Sequence, residues 1–90
     1  MAAIGAPTKS DLLRSAGYRY NFEMMHYVNR QERKAFSVEF IEDHDEAELE
    51  RCIAKEPKQS GWEFFFNEEP TDSTMKLLEQ YYDKNGPRPL

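Results

Sequence analysis

Aromatic residues outnumber branched aliphatic ones in this chain of 90 residues: 12 Phe, Tyr and Trp stand against 11 Leu, Ile and Val. A low aliphatic content can signal disorder, but each aromatic buries a large area with few torsions to immobilise. Rings also fit the pleated, half-buried surface of a sheet. The balance predicts a folded domain whose aromatic core is built on strands. Ninety residues leave room for one such core and little more.

Periodicity divides the chain. Residues 1–9 carry no period and contain Gly5 and Pro7, so a flexible lead is expected there. A single α+β domain is expected over 10–86 and a loose tail over 87–90. Ser10 and Gly17 bracket a short helical stretch, as N-cap and C′ residue. Tyr18, Tyr20, Phe22 and Met24 then alternate with polar residues, which is strand periodicity. A polar connector, Asn29 to Arg33, leads to a second alternating run with Phe36, Val38 and Phe40. Asp45 and Glu48 form a capping box at the head of a helix with Leu49, Cys52 and Ile53 on its apolar stripe. Trp62, Phe64 and Phe66 mark a third strand, and Leu77, Leu78, Tyr81 and Tyr82 mark a last helix.

These patterns predict strands over 18–29, 34–42 and 62–67, and helices over 45–56 and 72–85. The fold class is α+β: a small, mostly antiparallel, three-stranded sheet in the order β-β-α-β-α. The helix between the second and third strands serves as a crossover that sets the third strand beside the first, giving a 2-1-3 sheet. Two main helices suffice for one face. Tyr20, Phe22, Phe36, Val38, Phe40, Trp62, Phe64 and Phe66 are the predicted core.

Charge narrows the function classes. Seventeen acidic residues against 12 basic ones give a net charge of −5, which disfavours a general nucleic-acid binder. No apolar stretch reaches membrane-spanning length, no secretory leader is visible, and a lone cysteine fits a reducing compartment. A cytoplasmic location is therefore expected.

Several residue groups invite a chemical reading. Residues 39–50 hold seven carboxylates and no Lys or Arg, and Asp43-His44-Asp45 offers mixed oxygen and nitrogen donors of the kind divalent metals accept. The run lacks the turn glycine and second acidic repeat of a calcium loop, and is read as a junction that caps the following helix. Cys52 resembles a nucleophile with His26 or His44 as base, yet it sits on an apolar stripe where a thiol packs as a small hydrophobe. Residues 34–40 alternate aromatics after a lysine, as RNA-stacking strands do, but the glycine and the acid-free surroundings of such strands are missing. Arg30, Arg33 and Lys34 make one compact basic group, read as a solvated loop. No glycine-rich phosphate loop is present. No cofactor or metal site is expected.

The functional expectation follows from what the predicted fold leaves uncovered. Met25, Tyr27, Ala35, Ile41 and Phe65 fall on the strand face opposite the helices and are expected to form an apolar interface, on that face or the adjacent strand edge. The chain is read as a non-enzymatic interaction or regulatory module that forms a homodimer or meets a protein partner. The alternatives are a small-molecule binder with Trp62, Tyr81 and Tyr82 lining a pocket under the last helix, and a small enzyme using His26, His44 or Cys52.

Overall fold

A computed structural model describes residues 8–85. The expected flexible lead and tail lie outside these residues, apart from Thr8 and Lys9. Thr8, not Ser10, opens the first helix. Its hydroxyl accepts from the Asp11 amide at 3.1 Å while the Asp11 carboxylate takes the Thr8 amide at 3.2 Å, a reciprocal cap for α1 (Lys9–Ser15). Gly17, at φ +96°, closes the helix as the sequence predicts, with the Gly17 and Tyr18 amides turned back onto the Arg14 and Leu13 carbonyls.

The first alternating run is two strands rather than one. β1 (Arg19–Asn21) and β2 (His26–Asn29) form a tight hairpin around residues 22–25. The cause is Asn21: its side-chain oxygen accepts from the Met24 amide at 2.8 Å and its carbonyl from the Met25 amide at 2.8 Å. The second run also stops early. β3 (Lys34–Ser37) ends where Ser37 Oγ accepts from the Phe40 amide at 3.1 Å and starts α2 (Val38–Asp43). α3 (Glu46–Ala54) carries the predicted Asp45/Glu48 capping box. β4 (Glu63–Phe65) and α4 (Asp72–Asn85) follow.

The α+β class stands, but the sheet differs from the three-stranded 2-1-3 arrangement. Four strands lie in the order β1-β2-β3-β4, antiparallel except for the parallel β3–β4 pair. The hairpin places β1 and β3 on the two edges of β2. α2 and α3 then form the connection that returns β4 to the free side of β3, parallel to it, so β4 never reaches β1.

Helices cover both faces, not one. The register sets Tyr20, Tyr27, Phe36 and Phe65 on one face and Val28, Ala35 and Phe64 on the other. On the first face Leu13, Tyr18, Phe36, Ile41 and Leu49 join α1, α2 and α3 to the sheet. On the second, Val28, Ala35, Trp62, Leu78 and Tyr82 hold α4. Of the predicted core, Phe36 and Trp62 are buried, while Tyr20, Val38, Phe40, Phe64 and Phe66 are half-buried. Phe22 is 84% exposed. No described helix is long and apolar enough to cross a membrane.

Candidate functional site

The residue 22–25 turn is the most exposed apolar feature among the described residues outside α4. Phe22 is 84% and Met25 57% exposed. The turn is nevertheless held in one shape. Besides the two Asn21 bonds, the Met25 carbonyl accepts from the Val38 amide at 3.3 Å. Tyr81 Oη donates to Glu23 Oε1 at 3.1 Å, and Asn21 Nδ2 reaches the same phenol at 3.4 Å. Met25 pays for this with a left-handed backbone, φ +58°, which a side chain with a Cβ adopts at a cost on the order of 1 kcal/mol. Below the turn the Phe22 ring stands edge-on to Tyr20 at 4.8 Å, and Tyr20 leans on Tyr27 at 5.0 Å. The result is an aromatic knob beside β1, which among the described residues pairs only with β2 and leaves its outer edge free.

The five residues predicted to form an interface do not make one patch. Met25 lies in the exposed turn. Tyr27 is half-buried, its hydroxyl 2.8 Å from Ser10 Oγ. Ala35 and Ile41 are buried in different clusters on opposite faces of the sheet. Phe65 stacks on Phe36 with centroids 4.4 Å apart. Phe22, assigned to the core from its place in the alternating run, is the residue that sequence reasoning missed. The available signal was Asn21, whose short amide side chain favours a turn two or three residues on.

The titratable candidates occupy separate environments. His26 lies under α4, with Nδ1 2.6 Å from Tyr82 Oη and its ring 4.5 Å from that of Phe66. Burial lowers its pKa to about 4, so the ring is neutral near pH 7. Burial raises the Tyr82 phenol above its ordinary value. Cys52 packs on the opposite face, and burial raises its thiol pKa as well, away from nucleophile chemistry. His44 stacks on Phe40 at 3.9 Å, and its Nδ1 donates to the Phe40 carbonyl at 2.8 Å, so it terminates α2. Asp45 caps α3, and Asp43 accepts from Asn67. Among the described residues no group of three or more His, Cys, Asp or Glu side chains is placed to hold a metal ion.

The basic group is not a single loop feature. Arg30 donates to the Asp83 carbonyl at 2.6 Å and Arg33 is exposed, but Lys34 is fully buried. Its ammonium donates to the carbonyls of Cys52 (3.2 Å), Ile53 (3.1 Å) and Lys55 at the end of α3, with Glu32 3.7 Å away. The last carbonyls of a helix carry partial negative charge and lack intrahelical donors, so a lysine here closes the helix from the strand beneath it.

Among the described residues, aromatic and aliphatic side chains occupy the space expected between the sheet and the last helix. Trp62 and Tyr82 rings sit 5.4 Å apart, Trp62 Nε1 donates to Asp83 Oδ1 at 2.9 Å, and Leu78 is buried beside them. A shallow groove of about 280 Å³ runs elsewhere, between α1 and α3, lined by Leu12, Ser15, Ala16, Glu50 and Ile53. It contains one charged residue and no convergent polar set of the kind that orients a small molecule. Compared with protein-family models, curated proteins and solved structures, the chain finds no match.

Proposed function

We propose that this chain is an interaction module that pairs with a second copy of itself along the outer edge of β1, with the adjacent turn as the apolar part of the contact. The observation that carries this reading is Phe22, 84% exposed on a turn fixed by hydrogen bonds to its own strand, to Val38 and to Tyr81. A preorganised aromatic loses little conformational freedom when covered, so its apolar area counts almost fully toward binding.

Two-fold symmetry suits the strand. An antiparallel register centred on Tyr20 sets Tyr20 against its own copy and Arg19 against Asn21 of the second chain, so no like charges meet. Tyr20 and Phe22 from each chain then form one strip, flanked by Met25 and Tyr27. Ala35 and Ile41 are buried and contribute no surface. A strand of three residues and two exposed apolar side chains make a small contact, at the low end of interface sizes, and association is expected only at tens to hundreds of micromolar.

Sedimentation velocity over that range tests the reading. The wild type should shift from monomer toward dimer, and Phe22→Glu, a substitution at an exposed position, should stay monomeric while remaining folded. A wild type that stays monomeric throughout, or a Phe22→Glu variant that associates as well as the wild type, contradicts it.

A further inference from the structure

The outer side of β4 is the other edge of the sheet among the described residues, and its chemistry is unlike that of β1. Four of the five residues from Trp62 to Phe66 are aromatic, and only Glu63 is charged. A short aromatic segment with little charge, lying on a sheet edge, is a template for strand addition by another chain. The ladder fixes which groups it offers. The Glu63 amide donates to the Arg33 carbonyl at 2.8 Å, Glu63 pairs with Lys34, and Phe65 pairs with Phe36. In a parallel ladder alternate residues turn both peptide groups to the same neighbour, so Glu63 and Phe65 face β3 while Trp62 and Phe64 face outward.

Both outward groups of Trp62 are already taken, each by a charged side chain from outside the strand. Its amide donates to Glu79 Oε2 of α4 at 3.1 Å, and its carbonyl accepts from Lys58 Nζ at 3.3 Å. Gly61, at a left-handed φ of +77°, turns the chain into the strand beside that carboxylate. A partner strand needs a run of outward groups two residues apart, and with Trp62 occupied β4 has only Phe64 to offer.

We propose that Lys58 and Glu79 lock the β4 edge: while they hold the Trp62 peptide groups the edge takes no partner, and their release turns it into a surface that pairs with β4 of a second copy. The unlocked strand suits a two-fold contact. An antiparallel register centred on Phe64 sets Phe64 against its own copy, Glu63 against Phe65 and Trp62 against Phe66. No like charges meet, and aromatic side chains face one another across the pair. Lys58 is exposed and Glu79 half-buried, so neither fills the core, and both can be changed without emptying it. This edge lies across the sheet from β1, and its lock operates whether or not β1 pairs.

Sedimentation in a Phe22→Glu background, which removes the proposed β1 contact, isolates the β4 edge. From about ten to a few hundred micromolar the locked chain should stay monomeric, and Lys58→Ala/Glu79→Ala should move toward dimer. Lys58→Arg/Glu79→Gln, which keeps a donor and an acceptor in place, should behave like the locked chain. Amide exchange locates the contact: the Phe64 amide should exchange freely in the locked chain and slow by about tenfold or more when the unlocked chain associates. Circular dichroism and the fluorescence of Trp62, the single tryptophan, establish that each variant is folded. A folded, unlocked chain that stays monomeric overturns the proposal. So does equal association by the Arg/Gln pair, or association that leaves Phe64 exchange unchanged. If the double alanine variant does not fold, Lys58→Ala alone, at an exposed position, should associate at higher concentration with the same Phe64 protection, and its remaining monomeric overturns the proposal.

Discussion

Lys34 carries more of the local structure than any other single polar side chain here. Removing its ammonium takes a donor from three carbonyls at the end of α3, of which only that of Cys52 keeps a backbone partner, the Lys55 amide at 3.4 Å, in a place where water does not reach the lysine. Lys34→Met keeps the buried stem and deletes those bonds, so it should cost about 2–3 kcal/mol in urea unfolding. A loss below about 0.5 kcal/mol would mean the carbonyls find other partners. Tyr18 makes the opposite case. It is 1% exposed, its ring packs edge-on to Phe36 at 5.3 Å, and its hydroxyl has no hydrogen-bond partner among the described residues. Tyr18→Phe should therefore leave stability unchanged or raise it by up to about 1 kcal/mol. A destabilisation of similar size would show that the hydroxyl is satisfied in solution. Neither role was visible in the sequence. Lys34 follows Arg30 and Arg33 in a polar stretch, and only the sheet register turns it inward beneath α3. The Cys52 assignment, by contrast, rested on a stripe that α3 does form, and the thiol packs against the core as that stripe implies.

At the scale of elements, local chemistry explains both what was legible and what was not. The capping box of α3 and the span of α4 follow from short-range signals that nothing in the tertiary structure opposes. The two strand errors share one cause. In residues 18–29 and 34–42 an aromatic alternation continues through a polar residue that redirects the backbone, Asn21 in the first and Ser37 in the second. Period two describes side chains on both sides of each break, so the pattern hides the turn and the helix start. Ser37 offers a direct check. If it caps α2, Ser37→Ala should cost about 1 kcal/mol and increase amide exchange in residues 38–43. If the segment were strand, the same substitution would be nearly neutral there.

For the molecule as a whole, the decisive fact is that α1, α2 and α3 take one face of the sheet and α4 the other. The sequence implies an apolar excess and places it on an open sheet face, because its periodicity marks only two main helices, which suffice for one side. With both faces covered, that excess is confined, among the described residues, to the knob beside β1 and to Leu77, 67% exposed on α4. The proposed self-association therefore uses the sheet edge. The most direct measurement is cross-linking at the centre of the proposed pair. In a Cys52→Ala background, Tyr20→Cys should form a disulfide-linked dimer under mild oxidation, because facing residues of an antiparallel pair bring their Cβ atoms to about 4.5–5.5 Å. Thr74→Cys, exposed on α4, serves as the control and should remain monomeric. Rapid, selective dimer formation by Tyr20→Cys is the predicted result. Equal or slower cross-linking at position 20 than at position 74 would contradict edge pairing.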